Sequence, residues 1–251
     1  MNRNKKGFTL VELLVVIGIL GILMGALFPA ISSAMIKANL SACGMRGRNL
    51  FVAITAANTE REALGLGNVW PKTEAVEGAD SKTDPLGAGQ GNTAEKYFQY
   101  LFDTEKMGQQ DWKPYITGVD LSVLSGAGVP PAGDPKQLKA KNILWSVAAN
   151  VTDEVDDVVP VLVSRNFPAS KLKVDEYDGT ANEEFKLGKA SGDGAADTPF
   201  GNKAFVIIRK GGSVIQQTSR YATEQIVYSK NAFKIPESEG AKFQYLEPSG
   251  N

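Results

Sequence analysis

A long uncharged apolar stretch near the N-terminus dominates the pattern of hydrophobic and polar residues. No charged residue occurs between Leu13 and Ile36. As a helix rising about 1.5 Å per residue, these roughly 24 residues would extend about 36 Å, enough to cross the hydrocarbon core of a bilayer. Arg3, Lys5 and Lys6 precede the stretch. The positive-inside rule therefore predicts a cytoplasmic N-terminus and an extracytoplasmic remainder.

Beyond this stretch the apolar residues follow a helical period. Steps of three and four residues place one apolar stripe along a helix that we predict to continue to about Ala63. Small residues in the stripe favour packing on the protein's own sheet over a coiled-coil partner. Cys43 lies on the stripe and is predicted to be a buried, unreactive thiol. The stripe consists of Ile36, Leu40, Cys43, Gly47, Leu50, Ile54 and Ala57.

The rest of the chain alternates loop signals with short helix and strand signals. Glycine, proline and charge predict loops at residues 69–91 and 126–135. A short helix is predicted over Asn92–Phe102, with an Asn or Thr cap and with Tyr97, Phe98, Leu101 and Phe102 facing inward. Strands are predicted at Ile143–Val147, Val158–Val163, Ala204–Ile208, Ser213–Gln217 and Ile226–Tyr228. The third and fourth flank a hairpin turn at 209–212, and the overall prediction is an α+β fold with an antiparallel sheet.

The amino-acid composition excludes several classes of functional site. The chain has 251 residues, one cysteine and no histidine. An intramolecular disulfide cannot form, and Ser-His-Asp triads, Cys-His pairs and imidazole metal sites are all excluded. The formal net charge of −1 gives no electrostatic reason to expect nucleic acid as a partner. No nucleophile motif is apparent, so the sequence does not predict an enzyme.

Glu12, at the start of the apolar stretch, separates two interpretations of the N-terminus. One is a secretory signal peptide with a small-residue cleavage site near Ala34. The other is an anchor that stays attached. A carboxylate centrally placed in a membrane helix costs about 2.5 kcal/mol or more, and less near the interface. Because a disposable signal has no use for that cost, Glu12 favours the retained anchor.

The residues Lys6-Gly7-Phe8-Thr9-Leu10-Val11-Glu12-Leu13 resemble the cleavage and methylation signature of type IV prepilins and type II secretion pseudopilins. The resemblance covers about the first 30 residues. It implies that a prepilin peptidase cuts between Gly7 and Phe8, and that the new amino group of Phe8 is methylated. It also implies a pilin-like fold, in which residues 1–7 are a leader, 8–36 a transmembrane and filament-core helix, and 37–251 an extracytoplasmic domain containing the rest of the helix.

Four further residues are predicted to act in assembly. After cleavage, Glu12 lies one helical turn from the amine of Phe8, and the amine of a neighbouring subunit is a better partner because paired charges are tolerated in an apolar bundle. Gly21 and Gly25 form a Gly-x-x-x-Gly pair that lets helix backbones approach closely. Pro29 lacks an amide proton and is predicted to kink or loosen the helix.

The resemblance implies a structural filament subunit, and the first expectation is a type II secretion pseudopilin in the bacterial inner membrane. Its partners would be further copies of itself, other pilin-like subunits, the prepilin peptidase and an inner-membrane assembly platform. The nearest alternative is a type IV pilus subunit for adhesion, motility or DNA uptake. A secreted soluble binding protein, released at Ala34, is the remoter alternative.

Three acidic segments are weighed as calcium sites, since oxygen-rich loops bind Ca²⁺. They are residues 153–157, residues 175–179, and Asp193 with Asp197. None has EF-hand spacing, so solvated loop charge is the default prediction, with no metal and no cofactor. The same holds for Arg209 and Lys210, which are interpreted as exposed turn residues, and for the glycosylation-type triplet at Asn150, which arises often by chance.

Overall fold

The computed structural model describes residues 9–79, 84–103, 115–126, 132–188, 200–236 and 242–248. By contacts along the chain it divides into two compact units, one ending at Ala38 and one beginning at Asn39. The first unit contains the N-terminal part of the long helix. The second contains the remainder of that helix together with all the strands.

The helix α1 runs from Leu10 to Ala63, and Pro29 lies within it. Its C-terminal end at Ala63 is where the sequence analysis predicts it. The amide of Leu66 donates to the carbonyl of Arg61, and the amide of Gly65 donates to that of Glu62. Gly65 has a φ of +70°, which favours glycine, and these two bonds form the Schellman arrangement that satisfies the last carbonyls of a helix.

The strands are β1 Trp145–Ala149, β2 Pro160–Ser164, β3 Glu176–Tyr177, β4 Glu184–Lys186, β5 Phe205–Arg209, β6 Val214–Gln217, β7 Tyr221–Thr223, β8 Phe233–Lys234 and β9 Gln244–Leu246. Five of them form one antiparallel sheet in the order β6-β5-β2-β1-β9. Two small antiparallel sheets pair β3 with β8 and β4 with β7. The helices α2 and α3 are Ala94–Phe102 and Glu224–Val227. Short 3-10 turns lie at Leu121–Val123, Pro135–Gln137, Ala140–Asn142 and Ala169–Lys171.

The second half of α1 packs on the central sheet, which confirms the predicted α+β fold. All members of the predicted stripe from Leu40 to Ala57 are buried, including Cys43. The closest approach is at Gly47, where a Cβ atom would lie 2.5 Å from Trp145 Cη2 and 3.1 Å from Ile208 Cδ1. Only a glycine therefore lets the helix backbone rest on the side chains of β1 and β5.

The predictions for α2 and for four strands are confirmed, with ends shifted by zero to two residues. Thr93 caps α2 by accepting from the Lys96 amide, and the four aromatic and leucine side chains predicted to face inward are all buried. The hairpin of β5 and β6 turns at residues 210–212, with Gly212 at a φ of +77°.

The strand predicted at Ile226–Tyr228 is wrong, because this segment belongs to α3 and its C-terminal cap. The reason is a buried cation from another part of the chain. The guanidinium of Arg209 donates from Nη2 to the carbonyl of Ile226 and from Nε to that of Val227, at 3.0 and 2.9 Å. Carbonyls at a helix end need such donors, and here a strand residue supplies them.

Candidate functional site

The N-terminal part of α1 exposes an apolar surface on every side. All residues from Thr9 to Met35 are exposed, including Leu10 at 80%, Ile22 at 76% and Phe28 at 77%. By length and composition this is a helix that can cross a membrane. Each Å² of apolar surface removed from water is worth about 25 cal/mol, so a helix of this kind requires lipid or other protein around it.

The first turn of α1 is closed by a reciprocal pair of hydrogen bonds between Thr9 and Glu12. The amide of Thr9 donates to Glu12 Oε2 at 2.8 Å, and the amide of Glu12 donates to Thr9 Oγ1 at 3.2 Å. The Thr9 hydroxyl also donates to Glu12 Oε2, at 2.7 Å. This is a capping box, which satisfies amide groups that a helix leaves without partners at its N-terminus.

The capping box gives Glu12 a role within its own chain that the sequence analysis missed. The signal was present, because Thr9-Leu10-Val11-Glu12 has the Thr-x-x-Glu spacing that marks such caps. Both bonds from Thr9 end on Oε2, and among the described residues no hydrogen bond reaches Oε1. One carboxylate oxygen therefore remains available to a second donor. Pairing between Glu12 and the amine of Phe8 stays a prediction, since Gly7 and Phe8 lie outside the described residues.

The glycines of the apolar helix leave open space beside its backbone. A Cβ atom added at Gly18, Gly21 or Gly25 would meet nothing within 4 Å. Pro29 lacks the amide that would bond to the Gly25 carbonyl four residues earlier, so this carbonyl has no helical partner. Close helix packing at Gly21 and Gly25, and a kink at Pro29, stay predictions.

Arg209, Lys210 and Asn150, which the sequence analysis also weighed, each have structural partners. Lys210 Nζ donates to the carbonyls of Asp153 and Val155, at 2.7 and 2.6 Å, so it holds the loop between β1 and β2. Arg209 holds the end of α3, as described above. Asn150 is buried, and its amide group bonds Thr73 and the carbonyl of Lys242. A side chain used in this way is not accessible to a glycan.

The described part of the chain contains no cluster of side chains that could bind calcium. Among those residues, no three carboxylate or cysteine side chains come together as a metal would require. Asp193 and Asp197 lie outside the described residues. In the segment 175–179, Asp178 uses its carboxylate locally, because it accepts hydrogen bonds from the amides of Ala181 and Thr180 and from the Thr180 hydroxyl.

These hydrogen bonds give Asp178 a lowered pKa that a titration can measure. The amide of Ala181, followed by the hydroxyl and amide of Thr180, lowers the pKa of Asp178 to about 2. A depressed carboxyl pKa contributes stability that is present above the unfolded value of about 3.9 and is lost as pH falls toward 2. We expect the carboxyl carbon resonance of Asp178 in the micelle-bound protein to titrate near pH 2. A midpoint near 3.9 would contradict the turn geometry.

Comparison with known proteins identifies a family motif in the N-terminal part of the chain. Residues 2–28 match the family model described as the prokaryotic N-terminal methylation motif. Neither the curated proteins nor the solved structures contain a match to this chain. The motif marks structural subunits rather than enzymes, and implies processing by prepilin peptidase and assembly with pilin-like subunits. With the apolar helix, it also supports membrane anchoring. Motif and α+β architecture together support a type IV pilin-like protein.

Proposed function

We propose that this protein is a pseudopilin, a filament subunit of a type II secretion system. One observation carries the proposal: the methylation motif leads directly into an exposed apolar helix whose first turn holds a single carboxylate, Glu12. The chain's single cysteine supports a pseudopilin over a pilus subunit, because it rules out the disulfide-closed C-terminal loop common in many pilins.

In this proposal the chain passes through three states. It is inserted with its N-terminus in the cytoplasm and its domain in the periplasm. The peptidase removes residues 1–7 and the amine of Phe8 is methylated. The assembly platform then extracts the subunit, and residues 8–36 exchange lipid for the helices of neighbouring subunits, while residues 37–251 remain as the extracytoplasmic domain. No cofactor is required, and calcium remains a minor alternative for the domain.

Pairing between Glu12 and the amine of Phe8 in the next subunit is the proposed register device. Each charge alone is expensive in an apolar rod, whereas a hydrogen-bonded pair offsets that expense and fixes the axial position of one subunit against another. The bond from Thr9 to Oε2 supports this role, because it orients the carboxylate and leaves Oε1 for the amine. Gly21 and Gly25 would let the helices approach each other closely, and Pro29 would let each helix kink or loosen.

The mass of the mature N-terminus tests the proposal. We expect a purified chain that begins at Phe8 and carries one additional methyl group. A chain that begins at Met35 would show that the apolar segment is a signal peptide, and would identify a secreted soluble protein instead.

The type IV pilus alternative requires a separate measurement. Deleting the gene is expected to abolish secretion of a periplasmic cargo while leaving long surface filaments unaffected. Loss of surface filaments with intact secretion would favour the pilus subunit over the pseudopilin.

A further inference from the structure

The second half of α1 has an outward face with no partner among the residues that the structure describes. Met45, Arg48 and Val52 follow at intervals of three and four residues and therefore share one side of the helix. Met45 is 65% exposed and Val52 is 55% exposed. Arg48 is exposed and makes no hydrogen bond or ion pair with any residue that the structure describes. By contrast, Arg46 donates to the Ser125 carbonyl at 2.8 Å and holds the fold together. We call this the Arg48 face.

The loop between β1 and β2 carries the opposite charge. Its four carboxylates are exposed, and two lysines lie beside them, so the loop keeps an excess of negative charge. One carboxylate, that of Asp156, accepts from the Val158 amide. The side chains of the others accept no hydrogen bond from the described residues. The carboxylates are Asp153, Glu154, Asp156 and Asp157, and the lysines are Lys72 and Lys210.

Within one chain the acidic loop and Arg48 are offset along α1. The Gly211 amide donates to the Asp157 carbonyl at 2.9 Å, which ties the loop to the β5–β6 turn. The next residue of that turn, Gly212, lies against Phe51, since a Cβ atom there would be 3.2 Å from Phe51 Cε1. The Asp157 end of the loop is therefore held near the level of Phe51, three residues beyond Arg48. At about 1.5 Å per residue, this offset is about 5 Å.

We propose that the Arg48 face of one copy binds the acidic loop of the next copy. A copy shifted by about one helical turn brings its arginine level with its neighbour's carboxylates, and Met45 and Val52 shield the pair from water. Such a contact joins two different surfaces, and the axial shift between copies keeps it from closing into a ring, so it propagates as a filament. The inference rests on the proposed function.

Disulfide cross-linking in assembled filaments tests the contact. The full chain carrying R48C and D157C is expected to form a ladder of covalent oligomers under mild oxidation, whereas each single variant forms none. The native Cys43 is buried and provides an unreactive background. Filaments that form normally but give no ladder would overturn the interface and leave the proposed function intact. A cross-link to a different protein would also overturn it.

Charge exchange provides a second measurement. Arg48→Glu and Asp157→Arg are each expected to lower filament yield by roughly tenfold or more, because each places like charges together. The two substitutions combined are expected to restore it, with membrane levels equal in all variants. A double variant no better than the single ones would overturn the pairing. If the unmodified chain formed no filament in its host, the proposed function would fail and the interface with it.

Discussion

Replacing Glu12 by valine is expected to lower the amount of assembled filament by more than roughly tenfold, because each subunit then buries an unpaired amine, at a cost of several kcal/mol. The amount of processed protein in the membrane is expected to stay the same, since valine is at least as apolar as its neighbours. Sheared filaments and membrane fractions from the same cells measure the two quantities. Wild-type filament yield from Glu12→Val would contradict the pairing.

Two matched variants separate pairing from capping. Glu12→Gln keeps a side chain that can accept from the Thr9 amide, as glutamine does in capping boxes, but removes the charge. Thr9→Val removes the hydroxyl of the capping box and keeps the carboxylate. If pairing governs assembly, Glu12→Gln behaves like Glu12→Val and Thr9→Val loses much less. The opposite order would make Glu12 a helix cap and nothing more.

Replacing Gly47 by valine is expected to destabilise the unit formed by the second half of α1 and the sheet by about 3 kcal/mol, the upper part of the range for overpacked sites. A Cβ at this position would lie 2.5 Å from the ring of Trp145, which is fully buried and donates its Nε1 proton to the Val123 carbonyl. The ring cannot move away without giving up that hydrogen bond. Thermal unfolding of the detergent-solubilised chain, followed by tryptophan fluorescence, measures the change.

Gly18→Val in the same helix is the matched control. A Cβ there meets no atom within 4 Å, so the solubilised monomer is expected to unfold at the wild-type temperature. An unchanged unfolding temperature for Gly47→Val would contradict the packing of α1 on β1. Equal losses at both positions would attribute the effect to the substitution itself rather than to the contact with the sheet.

The elements that the sequence predicted well are those whose signal is local or periodic. The stripe on α1 repeats over five turns, the hairpin at 209–212 contains its own turn glycines, and α2 carries its cap at Thr93. The strands β3, β4, β7 and β8 have two or three residues each. Segments that short carry no periodic pattern, and they exist because a distant strand pairs with them.

Tertiary contacts also decided which polar residues are structural. Arg209 appeared as an exposed turn residue, yet it is buried and holds α3 in the place of a predicted strand. Arg46 and Arg48 are two residues apart on one helix, and only the fold shows that Arg46 binds Ser125 while Arg48 faces outward. Sequence spacing gives the helix face of such residues, but it does not give the element that packs there.

The sequence by itself determined the anchor, the processing signature and the α+β class. These depend on runs of apolar residues, on a short ordered motif and on local turn residues, and such features act through neighbours in the chain. Only the tertiary structure decided how the sheet is ordered, that Gly47 is where helix and sheet touch, and that the Asp157 end of the acidic loop is held about one helical turn beyond Arg48. Those results depend on residues far apart in sequence meeting in space, where excluded volume and hydrogen-bond satisfaction select one arrangement.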